Sequence, residues 1–550
     1  MNAKVLLSVL LLVVCSADCQ RTNGKAPHIV IVIVDDVGVA DIGYNNPDVI
    51  ITPFIDQLAD SGIKLSSYYT HPTCTPSRAA LFTGRFSHNT GLPFPLVGSP
   101  ASGLPAEIPL IPEMLRERNY STHLLGKWHL GHAQRKMTPT NRGFDSFFGL
   151  HGGGFNHYTK EVAGCIDLHN GTLDFTPEQI NSSRHSTEEF TNAAVSLIEQ
   201  NAQQSKPLFL VVSYVAAHDP LHAEAKDIEE CTRKNPVSSL RRRKFCAMVL
   251  EIDRGVSTIV NTLQQNQMWE NTIFIFTSDN GGLPYVGGFN HPLRGYKSTS
   301  WQGGIRVPAF VVAPEHIFGP GNREVTESLH IADWTPTILN AVDKSLGLQH
   351  FDKTEYDGKD MGPLLRGESS FSEQRMIVVQ HDIFMNNSAV IKGDYKLILG
   401  SPGQPWVFEE PTDSFHHHIS GPCENVLFSF QLIELASDLW EEQFGSLPIL
   451  FTILGYVVAM QRAVLTDYFC ESSYRNFLHA DFRQIKPLSS DCIIPTLEWD
   501  QSEGPRVFLY NLTSDPTESN NLAYSQKELT TQLYTEFTQM LKSCPRQYAG

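Results

Sequence analysis

Seven largely apolar residues run directly into two acids in the stretch HIVIVIVDD at residues 28–36. Continuous rather than alternating hydrophobicity is typical of strands that are buried on both faces, as in a sheet covered by helices. Two further runs, at 207–212 and 272–276, also precede polar residues that could do chemistry. The sequence therefore predicts an α/β fold built on buried strands.

Segments with helical spacing lie between these strands. Thr52 and Pro53 look like an N-cap followed by proline at the first helical position, and Gly62 is placed to end that helix. Other helical segments are predicted at 108–118, 188–201 and 247–264. Strands that alternate with helices predict a mostly parallel sheet, in which ligands bind beyond the carboxyl ends of the strands.

The sequence pattern divides the chain into three parts. A lysine followed by a short apolar run predicts a signal peptide over residues 1–19, cleaved after residue 17 or 19. We assign residues 20–380 to the main domain and 381–550 to a smaller C-terminal subdomain, where the runs 390–399 and 506–510 look like strands of an antiparallel sheet. An insertion at about 411–500 has no assignment.

The composition limits the partners. The 550-residue chain has a formal net charge of -17, so it offers no broad basic face for a nucleic acid. The basic run at 241–244 is interpreted as a solvated helix face. The apolar run at 447–460 is short for a spanning helix, so we expect no stable membrane insertion. The histidines at 416–418 are interpreted as a solvated loop.

Export through the secretory pathway would permit disulfides and glycosylation. Of the ten cysteines, Cys15 would leave with the signal peptide. Seven others could pair in combinations that the sequence does not specify: Cys165, Cys231, Cys246, Cys423, Cys470, Cys492 and Cys544. Glycosylation is predicted at five sequons: Asn119, Asn170, Asn181, Asn386 and Asn511.

Hard oxygen ligands follow two of the predicted strands. Asp35 and Asp36 come after the first strand, and Asp279 and Asn280 after the third. Carboxylates clustered in one place repel unless a cation lies among them, and oxygen ligands suit Ca²⁺ or Mg²⁺ better than Zn²⁺. Either pair taken alone would be read as a turn or a helix cap.

Cys74 precedes a proline and then an apolar run, which predicts a loop entering a helix. A nucleophile there would meet the positive end of the helix dipole. On the residues alone it is either a low-pKa thiol or a disulfide partner.

Five cationic or titratable residues complete the candidate site: Arg78, Lys127, His129, His218 and Lys297. Two lysines and an arginine around a metal would make a pocket that stabilises charge on a transferred group. Singly, each of these residues is more often a surface or core residue than a catalytic one.

The stretch CTPSR at 74–78, followed by LFTGR at 81–85, resembles the signature of type I sulfatases. Similar blocks occur in the same order: DD at 35–36, GKWHLG at 126–131, RGFD at 142–145, HDPL at 218–221, SDNGG at 278–282 and LRGYK at 293–297. The resemblance covers about residues 28–345 and resumes near 390 and 506. The chain is most similar to the arylsulfatase B type, which removes the 4-sulfate from N-acetylgalactosamine.

The resemblance implies the fold of the alkaline phosphatase superfamily and a catalytic sulfatase domain over 20–380. It also implies that the formylglycine-generating enzyme oxidises Cys74 to Cα-formylglycine. One Ca²⁺ per active site would be held by Asp35, Asp36, Asp279 and Asn280 together with residue 74.

By the same resemblance, the hydrated aldehyde would attack sulfur, form a sulfo-enzyme and then release sulfate. Lys127 and Lys297 would bind sulfate oxygens, His218 would donate a proton to the leaving oxygen, and Arg78 and His129 would orient the diol. The substrate would be a small-molecule or saccharide sulfate ester, and the location lysosomal or extracellular.

Other interpretations stay open at this stage. A glucosinolate sulfatase fits the same residues. A phosphoesterase of the same superfamily usually has serine or threonine as its nucleophile and often paired zinc ions, and the sequence offers no second set of zinc ligands. A catalytically silent binding protein would be favoured by loss of a metal or nucleophile residue, yet all are present. A membrane-anchored scaffold rests only on the run at 447–460.

Overall fold

The structure is a computed structural model that describes residues 25–47, 50–96, 102–162, 164–234, 238–348, 356–368, 375–382, 385–405, 497, 499 and 506–542. The predicted signal peptide, the histidines at 416–418 and the apolar run at 447–460 lie outside the described residues. None of the described helices combines the length and the apolar character needed to cross a bilayer.

The described strands form two main sheets and two small ones. They are β1 His28–Val34, β2 Ile63–Leu65, β3 Tyr68–Tyr69, β4 Ser121–Lys127, β5 Ser146–Leu150, β6 Glu161–Val162, β7 Cys165–Ile166, β8 His169–Asn170, β9 Leu173–Asp174, β10 Leu208–Ser213, β11 Thr272–Ser278, β12 Ala309–Val312, β13 Arg323–Val325, β14 Leu329–His330, β15 Met376–Asp382, β16 Asn387–Lys392, β17 Tyr395–Gly400 and β18 Val507–Asn511.

The described helices lie between the strands along the chain. They are α1 Pro53–Ser61, α2 Cys74–Thr83, α3 Ser87–Thr90, α4 Ile111–Glu117, α5 Ser186–Ala202, α6 Ala225–Lys234, α7 Leu240–Gln265, α8 Gln302–Ile305, α9 Glu315–Phe318, α10 Trp334–Leu346, α11 Gly362–Leu365 and α12 Lys527–Lys542.

The large sheet has ten strands in the order β13-β2-β12-β11-β1-β10-β4-β5-β8-β9. Its centre, β11-β1-β10-β4-β5, is parallel throughout, and antiparallel pairings flank it on both sides. Val34 of β1 pairs with Ser278 of β11, so the two strands end together. The α/β class with a parallel central sheet is confirmed.

Both faces of β1 are buried, which explains its continuous apolar sequence. Side chains alternate between the faces of a strand. The odd-numbered Ile29–Ile33 side chains pack in a core with residues of α2 and α10. The even-numbered Val30–Val34 side chains pack in a second core with residues of α5 and α7. A helix-covered sheet therefore removes any need for polar residues along this strand.

The four predicted helices are present, with different ends. The first helix runs from Pro53 to Ser61 as predicted, although the Thr52 hydroxyl accepts from the Gly43 amide at 2.7 Å instead of capping the helix. Within the range predicted at 108–118, only Ile111–Glu117 is helical, as α4. The helix predicted at 188–201 is α5. The helix predicted at 247–264 is α7, which already begins at Leu240. The prediction began too late because the first turns of α7 are polar and carry no apolar periodicity.

The prediction that 241–244 is a solvated helix face is wrong at Arg242. This side chain is only 2% exposed, forms an ion pair with the buried Asp41 and donates to the Gly287 carbonyl at 2.8 Å. Its guanidinium also lies over the rings of Phe245 and Phe289. Helix α7 packs against the loop that carries Asp41, and a buried carboxylate needs a cation beside it.

The smaller sheet is antiparallel in the order β15-β16-β17-β18, as predicted for the C-terminal part. The run at 390–399 supplies two of these strands, because the chain turns at Gly393 and Asp394. Strand β15 begins at Met376, so this sheet contains residues on both sides of the boundary placed at 380. The domain boundary stays a prediction.

The buried Glu518 of the C-terminal part contacts both parts of the structure. The Lys396 ammonium of β17 lies 2.7 Å from the Glu518 carboxylate, which also accepts from the Gln302 amide of the main domain at 2.7 Å. Apolar residues of both sheets belong to one core. The small sheet is therefore packed firmly against the large domain.

Cys231 and Cys246 form a disulfide that ties α6 to α7. Among the cysteines in the described residues, Cys165 is exposed and unpaired, and Cys74 is buried and unpaired. The disulfide reading of Cys74 is therefore wrong for this structure.

Replacing Arg242 with methionine is expected to lower the free energy of unfolding by about 3–5 kcal/mol, because Asp41 would lose its buried cation. Urea unfolding followed by tryptophan fluorescence measures the change. The matched control is Arg243→Met on the same helix, where the side chain is partly exposed and the expected change is under about 0.5 kcal/mol. Equal losses from both substitutions would contradict the importance of the buried pair.

Candidate active site

Four neighbouring parallel strands bring the candidate residues to one edge of the large sheet. Strand β1 leads into Asp35 and Asp36, β11 leads into Asp279 and Asn280, and β4 ends at Lys127. Strand β10 lies between β1 and β4 in the sheet. All five side chains are buried, so the sheet register places these polar groups together away from solvent.

Cys74 begins helix α2, and every residue of that helix is buried. Its sulfur lies 3.5 Å from Asp35 Oδ1. One ligand atom each from Asp35, Asp36, Asp279 and Cys74 lies within 4.8 Å of the others. The predicted nucleophile and the predicted carboxylate ligands therefore share one site.

Each carboxylate of this site has a cation beside it. Arg78 donates from Nε and Nη2 to Asp279 Oδ2 at 2.9 and 2.8 Å. Lys127 Nζ lies 2.5 Å from Asp35 Oδ2, and Lys297 Nζ lies 2.8 Å from Asp36 Oδ2. Because these six side chains balance in charge, a bound divalent cation would leave an excess of positive charge suited to an anionic substrate.

Asn280 provides a test of whether these residues fit a metal ion. Its amide nitrogen donates to Asp36 Oδ1 at 2.8 Å, while its side-chain oxygen is buried and finds no hydrogen-bond partner among the residues that the structure describes. An unsatisfied buried oxygen is costly, and a hard cation would satisfy it. Asp36 also adopts a positive φ of 59°, an uncommon conformation that occurs at functional sites. The donor set fits Ca²⁺ or Mg²⁺.

The local charges act differently on Cys74 and Asp35. Burial, followed by the charge of Asp279, raises the pKa of the Cys74 thiol well above its usual value. Burial alone would also raise the pKa of Asp35, but Lys127, His218 and Arg78 outweigh it and hold that pKa far below its usual value. An unmodified thiol at position 74 would thus be protonated, which argues against the low-pKa thiol reading.

The two predicted histidines have different environments. His129 Nε2 contacts the Leu96 carbonyl at 2.7 Å, while its Nδ1 is buried and has no partner in the described part of the chain. Burial, reinforced by Lys127, lowers the pKa of His129 well below its usual value, so the ring is neutral. His218 is partly exposed, with Nδ1 2.7 Å from the Asp219 carbonyl and Nε2 3.7 Å from Asp36 Oδ2.

The loop after β5 closes around these histidines through two glycines. A Cβ atom on Gly153 would lie 2.9 Å from the His129 ring, and one on Gly154 would lie 3.2 Å from His218 Nδ1. Any side chain at Gly153 would therefore displace the histidine. The loop after β5 therefore lies against two of the candidate site residues.

Two supporting hydroxyls were missed by the sequence analysis. Ser213 accepts from Arg78 Nη1 at 2.6 Å and donates to the Lys127 carbonyl at 2.8 Å. Thr75 donates to the His129 carbonyl at 3.1 Å. Ser213 ends strand β10, so the position of this residue at a strand end could have identified it. No local pattern marks the role of Thr75.

The structure gives the exposure of all five predicted glycosylation sites, while glycosylation itself stays a prediction. Asn119, Asn170, Asn181 and Asn386 are exposed, whereas Asn511 is partly buried. The Asn511 side-chain oxygen accepts from the backbone amides of Thr513 and Ser514 at 3.2 and 3.0 Å.

Several known proteins are similar to this chain in sequence. Arylsulfatase J of Mus musculus is 36% identical over 334 residues, which cover 59% of this chain but only 55% of that protein. N-acetylgalactosamine-6-sulfatase of Canis lupus familiaris is 28% identical, covering 82% of this chain and 87% of that protein. Arylsulfatase A of Homo sapiens is 31% identical, covering 64% and 70%.

Solved structures share the fold. The PsFucS1 sulfatase from Pseudoalteromonas sp. superposes with a TM-score of 0.65 at 22% identity, covering 96% of this chain and 93% of that chain. Ps i-CgsB in complex with k-i-k-neocarrahexaose superposes with a TM-score of 0.62 at 27% identity, covering 81% and 100%.

The family model described as Sulfatase matches residues 27–344, which include every predicted catalytic and metal-ligating residue. The predicted family is confirmed, while the closer resemblance to arylsulfatase B stays a prediction. This chain belongs to the sulfatase family of hydrolases.

Proposed function

We propose that this chain hydrolyses a sulfate ester with a formylglycine made from Cys74 and a calcium ion. The main support is the position of Cys74 at the buried start of α2, where its sulfur lies 3.5 Å from Asp35 and within a cluster of three carboxylates. Arg78, Lys127 and Lys297 surround this cluster. The arrangement supports attack on a group that carries several negatively charged oxygens.

The metal would be held by Asp35, Asp36, Asp279, Asn280 and residue 74. When bound, Ca²⁺ would supply polarisation of the sulfate oxygens. The unsatisfied Asn280 oxygen and the all-oxygen side-chain set support this assignment. Arg78 would keep Asp279 correctly oriented, since two of its nitrogens already contact one carboxylate oxygen.

Residue 74, once oxidised and hydrated, would supply a geminal diol, with one hydroxyl to attack sulfur and a second to allow release of sulfate. The surrounding side chains support these roles. Lys127 and Lys297 would turn their ammonium groups towards sulfate oxygens when the substrate enters. The buried, neutral His129 has an unpaired Nδ1 that could accept a hydrogen bond from the diol.

His218 is the candidate proton donor for the leaving oxygen. Its Nδ1 is fixed by the Asp219 carbonyl, which leaves Nε2 directed towards the carboxylate cluster, 3.7 Å from Asp36. Its partial exposure would let the ring exchange its proton with solvent after each turnover.

The substrate we favour is a sulfated sugar. The similar proteins named N-acetylgalactosamine-6-sulfatase act on such a group by name, and a neocarrahexaose is bound in one similar structure. The 151–153 stretch beside the site is partly exposed, which would let a saccharide contact it from solvent. We expect the mature enzyme in a lysosomal or extracellular compartment.

Cys74→Ala is expected to lower the turnover of an aryl sulfate by about 10⁴-fold or more while the circular dichroism spectrum stays unchanged, because the nucleophile is lost. Cys74→Ser should release a single equivalent of phenol and then stop, since serine lacks the second hydroxyl. Peptide mass spectrometry of the active enzyme should find formylglycine at position 74. The control is Cys165→Ser, and full activity of Cys74→Ala would refute the mechanism.

Removal of calcium with a chelator should abolish the hydrolysis of aryl sulfate, and added Ca²⁺ should restore it. Asn280→Ala should weaken Ca²⁺ binding about tenfold or more, because the ion would lose one oxygen ligand. Isothermal titration calorimetry measures the affinity. Asn261→Ala, on the exposed side of α7, is the control. Activity that survives exhaustive chelation would contradict a metal-dependent reaction.

A panel of esters tests the substrate class. We expect kcat/KM for sulfated N-acetylgalactosamine to exceed that for a glucosinolate, and phosphate monoesters to react far more slowly than aryl sulfate. The 4-sulfated and 6-sulfated sugars are compared directly, because the sequence resemblance favours the former and a named relative the latter. Faster hydrolysis of phosphate than sulfate would favour the phosphoesterase alternative.

A further inference from the structure

A second group of metal-ligating side chains lies outside the sulfatase site and consists of His151, Asp167 and His169. One ligand atom from each lies within 4.8 Å of the others. His151 directly follows β5, and His169 begins β8. These two strands pair antiparallel, with Gly149 opposite His169, so the sheet edge brings the three side chains together.

Asp167 is held in place by the backbone of the loop after β5. Its Oδ1 accepts from the His151 amide at 3.0 Å, and its Oδ2 accepts from the Gly152 amide at 2.8 Å. The carboxylate is therefore preorganised before any ligand arrives, and a lone pair stays available on Oδ2, whereas Oδ1 also lies 2.7 Å from His169 Nε2.

His169 has a carboxylate at each ring nitrogen. Its Nε2 lies 2.7 Å from Asp167 Oδ1, and its Nδ1 lies 2.7 Å from Asp174 Oδ1. A protonated ring can donate to both carboxylates, whereas the neutral imidazole that binds a metal carries a single N–H and can donate to only one of them. Metal-bound histidines usually donate their other N–H to a carboxylate, which is the position of Asp174.

His151 contributes an unsatisfied nitrogen. Its ring stacks on that of His169 with the centroids 4.0 Å apart, so one ring has to turn before both in-plane lone pairs can reach the same ion. The His151 Nε2 atom is buried and has no hydrogen-bond partner among the described residues. A buried nitrogen without a partner is unfavourable, and a metal ion bound by its lone pair would remove the penalty.

We propose that His151, Asp167 and His169 bind a divalent transition-metal ion of the Zn²⁺ class, with Asp174 orienting His169. Two imidazoles and one carboxylate suit Zn²⁺ better than Ca²⁺ or Mg²⁺, which prefer oxygen ligands only. Three protein ligands leave a coordination position for water. The site is distinct in residues and in ligand chemistry from the carboxylate cluster around Cys74, and the proposal does not rest on sulfatase activity.

The ion would fix the loop that closes the sulfatase site. His151 accepts from the His129 amide through its carbonyl at 3.1 Å. The next residues, Gly153 and Gly154, lie against the rings of His129 and His218. Binding at His151 would therefore hold the start of this loop to β8 and limit its movement near both histidines.

The predicted glycan would not interfere with this site. Asn170 follows His169 directly within β8, and successive side chains of a strand point to opposite faces. Asn170 is also exposed. The full glycosylated chain can thus be used in the test.

The test is a titration of the calcium-loaded, full-length enzyme with Zn²⁺, followed by calorimetry, and with Co²⁺, followed by visible absorption. The wild type should bind a single Zn²⁺, with Co²⁺ giving the absorption bands of a site with nitrogen ligands. His151→Phe, which keeps an aromatic ring in the stack, and His169→Gln should each weaken Zn²⁺ binding by about 100-fold or more. Asp174→Asn should weaken it by about tenfold.

Two controls separate this site from other histidines. His123→Asn alters a ring whose nitrogens contact only the Ser121 and Ser146 hydroxyls in the structure, and it should leave Zn²⁺ affinity unchanged. Replacing the histidines at 416–418 with alanine should also have no effect. Loss of Zn²⁺ binding in that triple variant with retention in His151→Phe would overturn the proposal, as would a wild type that binds no Zn²⁺.

If His151→Phe fails to fold by circular dichroism, His169→Gln and the Co²⁺ spectrum of the wild type decide the matter. A Co²⁺ spectrum without nitrogen ligation would refute the site.

Discussion

The active site depends on the burial of three carboxylates, those of Asp35, Asp36 and Asp279, at one edge of the large sheet. Buried charges are unfavourable unless they are paired. Arg78, Lys127 and Lys297 provide the pairing from three separate segments of the chain. The buried Asn280 oxygen has no hydrogen-bond partner among the described residues, and a bound metal ion would satisfy it. The same surplus of positive charge that a metal would create is what an incoming sulfate group requires.

The architecture explains why these charges can be buried at all. The central strands are covered by helices on both faces, so their ends form a protected edge where polar groups from four parallel strands meet. Helix α2 then brings Cys74 to that edge with its positive end foremost. The antiparallel sheet is linked to the main domain through Glu518, which pairs with Lys396 of that sheet and accepts a hydrogen bond from the Gln302 amide of the main domain.

The loop after β5 connects the candidate active site with the proposed zinc site. Its glycines contact the two site histidines, and its first residues are fixed by Asp167. The proposed zinc site therefore lies at the start of the loop that contacts the two site histidines. A structural ion here would act on substrate binding through loop position and not through contact with the reacting atoms.

The sequence by itself determined the buried strands, the first helix with its proline start and glycine end, and the candidate site residues from Asp35 to Lys297. These features depend on neighbouring residues or on short motifs, so they can be read along the chain. Tertiary structure alone decided that Arg242 is buried, that Ser213 supports Arg78, and that His151 meets His169. Those contacts depend on which strands pair, in what register, and on which helix packs against which loop. Proximity of that kind has no local periodicity, because it arises from the packing of segments that are distant in sequence.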